Sequence, residues 1–182
     1  MKKSAVLAVS IALAALAAAP SASARALVTQ GSHELGLSGM LDFNSEVGTA
    51  SALDGRFDWF FVDQFSFGVV GGFSDNDYYT HIRLGLSTEY NFLISDDYRP
   101  LVGTDFVPFL GLGLSFAYAD SDEDDTFAGV LTGEAGAKFF LSDDFAVVAS
   151  VLGEVATDDI FMNDSKSSSA DVSLRLGMRF FF

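Results

Sequence analysis

The chain repeats one pattern: apolar residues at every second position in runs of about ten. From Val172 to Phe182 it reads V-S-L-R-L-G-M-R-F-F-F. Val172, Leu174, Leu176, Met178, Phe180 and Phe182 alternate there with Ser173, Arg175, Gly177, Arg179 and Phe181. Successive side chains of an extended strand point to opposite faces, so this stretch has one apolar face and one mostly polar face. Six earlier segments share the rhythm, and a seventh is apolar on both faces. The first sets Leu35, Leu37, Gly39, Leu41 and Phe43 against Glu34, Gly36, Ser38, Met40 and Asp42. The second sets Leu53, Gly55, Phe57, Trp59 and Phe61 against Asp54, Arg56, Asp58 and Phe60. The third sets Phe65, Phe67, Val69, Gly71 and Phe73 against Ser66, Gly68, Val70, Gly72 and Ser74. The fourth sets Ile82, Leu84, Leu86, Thr88, Tyr90 and Phe92 against His81, Arg83, Gly85, Ser87, Glu89 and Asn91.

After an irregular connection from Leu93 to about Val107, the fifth segment sets Leu110, Leu112, Leu114, Phe116 and Tyr118 against Phe109, Gly111, Gly113, Ser115 and Ala117. The sixth sets Leu131, Gly133, Ala135, Ala137 and Phe139 against Thr132, Glu134, Gly136 and Lys138. The seventh, Phe145 to about Ala156, is apolar on both faces until Glu154, so periodicity gives it little register. Thr157 to Ser169 forms the longest loop, polar and serine-rich.

No stretch beyond the leader reaches 18 uninterrupted apolar residues, so a membrane helix is not expected. Short segments of alternating hydrophobicity are instead the signature of strands that cross a membrane as a closed barrel. A soluble chain with this pattern needs two packed sheets, the alternative architecture. A final strand ending on an aromatic favours the barrel, in which the last strand pairs with the first and leaves no edge. The prediction is an all-β chain: an eight-stranded antiparallel up-and-down transmembrane β-barrel. Three similar stretches follow strands two, four and six: F-F-V-D-Q-F (60–65), F-L-I-S-D-D-Y (92–98) and F-F-L-S-D-D-F (139–145). In an up-and-down barrel they share one rim, where their aromatics form a belt between lipid and water. Both termini then fall on that side, expected to be periplasmic. The loops centred on Glu46, Asp77, Glu123 and Asp164 face outside.

Lys2 and Lys3, an apolar run from Ala5 to Ala19 and the small-x-small pattern Ala22-Ser23-Ala24 form a secretory signal. Residues 1–24 are expected as signal peptide and 25–182 as barrel, with cleavage after Ala24 preferred and after Ala26 as the alternative. The remaining chain has eight cationic against 25 acidic side chains, a net −17, which argues against a nucleic-acid partner. Cysteine is absent, so stability cannot come from disulfides.

The inward parity collects the chemistry. It holds Arg56, Arg83, Lys138, Arg175 and Arg179, facing Glu34, Asp42, Asp54, Asp58, Glu89, Glu134, Glu154 and Asp171. Eight strands enclose about enough room for side chains to fill, and unpaired charge there is costly, so the signs are expected to form a network. Asp54 and Asp58 each lie within reach of Arg56 along one face, whereas Glu134 and Lys138 need partners on other strands. Arg179 and Glu34 are expected to meet where the last strand closes on the first. Phe60, Phe109, Phe140 and Phe181 are inward aromatics, expected to floor the lumen.

Few residues suggest catalysis or metal binding. Ser32 and His33 face opposite sides of a strand, and no serine is visibly placed beside His81, so no enzyme is expected. Asp120, Asp122 and Asp124 echo a calcium loop, but Asp125 stands where its glycine belongs and Leu131 where its glutamate belongs. No cofactor or metal is expected, and the acidic loop reads as solvated.

P-F-L-G-L-G-L-S-F (108–116), G-E-A-G-A-K-F-F-L-S-D-D-F (133–145) and R-L-G-M-R-F-F-F (175–182) resemble the small outer-membrane β-barrel family. That family is typified by the barrel of outer membrane protein A and by outer membrane proteins X and W. The resemblance implies a porin-family outer-membrane barrel delivered to the barrel-assembly machinery. The C-terminal signal would be Leu174, Leu176, Met178, Phe180 and Phe182. It implies outer-membrane lipid and lipopolysaccharide as surroundings. Nothing in the sequence corresponds to the peptidoglycan-binding domain of outer membrane protein A, so no cell-wall tether is expected. The expected role is structural or interactive, with a charged, largely plugged lumen and acidic external loops. A narrow channel for small or hydrophobic solutes is the alternative, and a lipid-modifying enzyme a more distant one.

Overall fold

The computed structural model describes residues 28–41, 51–75, 79–93, 105–121, 125–163 and 166–182. The leader and both cleavage positions, Asp42, Phe43, the loop at Glu46, the residues around Asp77, positions 94–104, positions 122–124 of the acidic stretch and the loop centre at Asp164 lie outside them. The strands are β1 (His33–Leu41), β2 (Ser51–Val62), β3 (Phe65–Asp75), β4 (Tyr79–Asn91), β5 (Asp105–Ser121), β6 (Thr126–Ser142), β7 (Phe145–Ala156), β8 (Phe161–Asn163), β9 (Lys166–Ser168) and β10 (Ala170–Phe181). Eight close into a barrel in the order β1-β10-β7-β6-β5-β4-β3-β2. β8 and β9 form a separate two-stranded ladder.

Closure uses the last strand as its residue pattern predicts. β10 pairs antiparallel with β1 from Leu41↔Leu174 to Glu34↔Phe181. His33 and Phe182 then exchange two main-chain hydrogen bonds, of 2.8 and 3.1 Å. No strand edge is left open at the seam, which removes the aggregation risk of an unpaired edge.

Outward parity is apolar and exposed around the barrel: Leu35, Phe57, Phe67, Leu84, Leu112, Leu131, Val151 and Leu176 all face out. β7 takes the register that puts Ala146, Val148, Ser150, Leu152, Glu154 and Ala156 inside. Burying Glu154 among inward cations decides a strand whose two faces are otherwise equally apolar.

Three elements differ from the sequence reading. β5 begins at Asp105, so the end of the supposed Leu93–Val107 connection is strand, and Val107 points inward. β5 and β6 are each 17 residues long and include Asp120 and Ser121, which read as loop. Only about 9–11 residues are needed to cross a bilayer. The Thr157–Ser169 stretch, read as irregular, carries the β8–β9 ladder, paired from Phe161↔Ser168 to Asn163↔Lys166.

The similar stretches 60–65 and 139–145 build the same hairpin. Each has a two-residue turn, at Asp63–Gln64 or Asp143–Asp144. Each also has a register shift just before it, at Phe60/Val62 or Phe140/Ser142. Phe60 and Phe140 therefore both point inward, while Trp59 and Phe139 sit on the outward parity beside them. Below, the barrel end bearing these two turns is the turn end, and the opposite end is the loop end.

Candidate functional site

The candidate site is the lumen, which the described side chains fill in layers. Nearest the turn end is an apolar floor of Val28, Phe60, Val107, Phe140, Ala146 and Phe181, all buried. The Phe140 and Phe181 rings lie 4.8 Å apart and the Phe60 and Phe181 rings 6.5 Å apart. Of the four inward rings, Phe109 is also buried, and all four approach Lys138 or one another. Val28 was not foreseen as part of this floor. It arrives on the segment before β1, which crosses to the β2–β3 turn. Gln64 N donates to Val28 O (2.8 Å), Gly31 N to Phe60 O (2.7 Å) and Gln30 N to Asp63 Oδ1 (2.8 Å). The positive φ of Gln64, 67°, is what turns its N–H toward that segment and its carbonyl toward Asn91 N, 2.7 Å away.

Directly above the floor sits a charge layer centred on Lys138. Its ammonium has the rings of Phe60, Phe109 and Phe181 at 5.7, 5.5 and 5.3 Å. It is ion-paired to Glu34 and to Glu89 Oε1, the latter at 2.5 Å. Arg179 Nε lies 2.9 Å from Glu34 Oε1, and Arg56 Nη1 lies 3.1 Å from Glu89 Oε2. Arg56 also grips Asp58 with two hydrogen bonds, of 2.5 and 3.0 Å. Three cations thus face three carboxylates, all nearly inaccessible to solvent. Buried charges without such partners would cost several kcal/mol each.

A second layer lies toward the loop end. Arg83 bridges Glu154 (2.6 Å) and Asp54 (2.7 Å), and Arg175 Nη2 reaches Asp54 Oδ2 at 3.1 Å. Asp54 therefore serves Arg83 and Arg175, not the Arg56 that neighbours it on β2. Glu134 links the layers loosely. Its Oε2 is 3.6 Å from both Arg56 Nη1 and Arg175 Nη1, beyond hydrogen-bond range, while Ser150 Oγ donates to its Oε1 at 2.6 Å. Removing that hydroxyl leaves a buried carboxylate oxygen unsatisfied. Ser150→Ala is expected to lower the unfolding free energy by about 1–3 kcal/mol, measured by denaturant titration in lipid vesicles. Between the layers is a cavity of about 40 Å³ lined by Arg56, Arg83, Ser87, Ser115, Glu134 and Arg175 among others, roomy enough for water.

The sequence reading assigned no role to the inward glycines, yet they let the pairs meet. Asp54, Gly72 and Arg83 face one another on three consecutive strands, as do Asp58, Gly68 and Ser87. With no side chain on β3, Arg83 reaches Asp54 across it, and Ser87 Oγ reaches Asp58 Oδ1 at 3.2 Å. At the seam, Gly36 stands between Arg56 and Arg179. A Cβ on Gly36 would collide with the Arg179 guanidinium and come within 2.6 Å of Arg56 Cγ. A glycine at inward parity flanked by charged strands was the available signal.

At the loop end the inner wall turns apolar. Ala117, Ala119, Ala128, Val130 and Ala156 pack with Ile160, and Phe161 lies against the cluster. Ile160 comes from the β7–β10 connection, which folds back over the barrel. Glu154, at the border of this wall, also accepts from Thr132 Oγ1 at 2.9 Å.

The two histidines go separate ways. His33 faces outward and stacks between Phe57 and Phe182, each 5.7 Å away. His81 has a serine after all: Ser74, its partner across β3 and β4, puts Oγ 3.5 Å from Nδ1. Its Nε2 is buried without a hydrogen-bond partner, so no carboxylate orients the ring as a nucleophile–base set requires. Among the described residues no cluster of three metal-ligating side chains occurs. Asp122 and Asp124 of the calcium-like stretch lie outside those residues.

No protein-family model and no curated protein matches the chain. Solved structures do. The N-terminal β-barrel domain of Pseudomonas aeruginosa OprF superposes with a TM-score of 0.63 at 19% identity, covering 84% of this chain and 98% of that one. The fold is that of the small outer-membrane β-barrels. The outer membrane protein OprG from Pseudomonas aeruginosa matches with a TM-score of 0.52 at 14% identity, covering 85% and 97%. A de novo designed transmembrane β-barrel matches with a TM-score of 0.56 at 13% identity, covering 85% and 98%. A designed chain reaches the same barrel at that identity, so the likeness rests on strand number, closure and alternation and carries no ligand with it. In this barrel Leu174, Leu176, Met178, Phe180 and Phe182 form an exposed apolar row on β10 and its end.

Proposed function

We propose that this protein is a closed integral barrel of the outer membrane with a structural or interaction role, not a catalyst. The observation that carries this reading is the layered lumen. Apolar residues close the turn end, two linked ion-pair layers fill the middle, and Ile160 caps the wall at the loop end. A charged interior sealed from solvent holds the wall together and leaves no continuous water path for ions. In this reading the turn end and both termini are periplasmic, and the acidic loops face outward among lipopolysaccharide. The exposed row on β10 is what the assembly machinery receives.

Planar-bilayer recording tests it. The refolded wild-type barrel is expected to insert without unitary currents, and Arg56→Ala or Arg175→Ala to admit small, flickering ones by thinning the plug. Reproducible unitary currents from the wild type would overturn the plug in favour of the narrow conduit.

A further inference from the structure

The lumen's two closures are built differently, and the difference points to one that opens. The turn-end floor interlocks three phenylalanine rings with Val28, whose segment is pinned by main-chain hydrogen bonds, and Lys138 is clamped just above. Among the described residues, the loop-end closure rests mainly on one aliphatic side chain. Ile160 lies over the small residues Ala117, Ala119, Ala128 and Ala156 beside Val130, with Phe161 at its edge. Asp158 and Asp159, just before it, are exposed to solvent. Behind them the strap is fastened at its root, by Thr157 N to Gly129 O (2.9 Å) and Gly129 N to Thr157 Oγ1 (3.0 Å). Its far end runs into β8, where Phe161 pairs with Ser168 of β9, so the strap is a short span between two fixed ends, and Ile160 can lift with both left in place.

We propose that the Thr157–Phe161 segment is a lid over a blind vestibule in the loop-end half of the lumen, and that the vestibule admits small cations with an apolar body. Lifting Ile160 bares an alanine-rich wall on β5, β6 and β7. The inner face of β5 from Gly111 through Gly113, Ser115 and Ala117 to Ala119 carries no side chain larger than serine, which leaves room down to the cavity between the ion-pair layers. Over the two layers, the six carboxylates Glu34, Asp54, Asp58, Glu89, Glu134 and Glu154 face the five cations Arg56, Arg83, Lys138, Arg175 and Arg179, and the most loosely held of the six, Glu134, 3.6 Å from both Arg56 and Arg175, lines that cavity. A guest whose apolar body replaces Ile160 and whose ammonium adds the missing positive charge complements both walls. The floor stays shut, so the vestibule is a binding pocket and not a conduit. The outer-membrane reading enters only in making the loop end the exterior.

The chain's lack of cysteine makes the test direct. Single cysteines are placed at Ser115, beneath the lid, and at Ser66, which is wholly buried on the floor side. The folded barrel, verified by its heat-dependent gel shift, is exposed to a small water-soluble methanethiosulfonate. Ser115→Cys is expected to react slowly, at least tenfold faster when combined with Ile160→Ala, and Ser66→Cys not to react in either background. Hexylammonium is expected to slow labelling at Ser115→Cys and hexanesulfonate to leave it unchanged. An identical rate with and without the Ile160 side chain, or no labelling in either, overturns the lid. Reaction at Ser66→Cys overturns the blind end, and equal protection by the two amphiphiles, or none, overturns the cationic guest. Should Ile160→Ala lose the gel shift, Ile160→Val is measured instead and is expected to label Ser115→Cys faster than the wild-type lid does, an unchanged rate overturning the lid. Loss of the gel shift in the wild-type barrel would instead count against the membrane-barrel reading.

Discussion

Replacing Lys138 with methionine is expected to leave a chain that no longer holds a closed barrel under conditions where the wild type does. The stem of the side chain is retained, so packing against Phe60, Phe109 and Phe181 changes little. What disappears is the charge shared by Glu34 and Glu89. Glu34 would keep Arg179 and Glu89 would keep Arg56, but two cations would then face three fully buried carboxylates. Breaking one member out of a buried ion cluster costs about 3–5 kcal/mol because the remaining charge has no water to turn to. The measurement is denaturant unfolding in vesicles, read by the heat-dependent gel shift. The double variant Lys138→Met, Glu89→Gln is expected to recover most of the loss, since it leaves Arg179 with Glu34 and Arg56 with Asp58 and puts an amide where the stranded carboxylate stood. A single variant within about 1 kcal/mol of wild type, the range of an exposed ion pair, would mean that water reaches this layer.

The second large effect is expected at Gly36→Val. Gly36 sits on β1 directly opposite Arg179 of β10 and Arg56 of β2, and both cations cross the space above its Cα to reach Glu34. Valine would force the Arg179 guanidinium aside at the one seam where chain ends, not a hairpin, hold two strands together. Overpacking alone costs about 1–3 kcal/mol, and displacing the Arg179–Glu34 pair adds the penalty of a stranded charge, about 3–5 kcal/mol. Refolding yield and the gel shift should both fall. Gly55→Val is the control: Gly55 is on the outward parity of neighbouring β2, and nothing lies within 4 Å of where its Cβ would be. It is expected to fold like wild type. Equal behaviour of the two variants would remove the argument that inward glycines make room for the ion pairs.

Much of this was legible in the alternation. The inward or outward parity of Glu34, Arg56, Arg83, Lys138 and Arg175 follows from the two-residue repeat alone, because a lipid-facing strand surface excludes charge. The pairings were not legible in the same way. Asp54 and Arg56 look like neighbours along β2, yet Asp54 binds Arg83 and Arg175. Arg83 on β4 and Arg175 on β10 each stand two strands from β2, about 9–10 Å away and farther than the roughly 6.5–7 Å to Arg56, so spacing between backbone positions does not choose the partner. Glycine at the intervening Gly72 clears the inner face for the long Arg83 side chain to span β3.

The sequence by itself determined that the chain is a barrel, how many strands cross, which face of every strand but β7 meets lipid and that the last strand closes on the first. All of these follow from local periodicity and from the need to satisfy every backbone hydrogen bond. The Arg179–Glu34 and Arg56–Asp58 pairs were also readable there, whereas only the tertiary structure decided that Asp54 holds Arg83 and Arg175, that Lys138 sits between Glu34 and Glu89, that Val28 joins the floor and that Ile160 covers the opposite end. Those contacts depend on stagger between strands distant in the chain and on where a connecting segment comes to rest, and neither leaves a periodic trace.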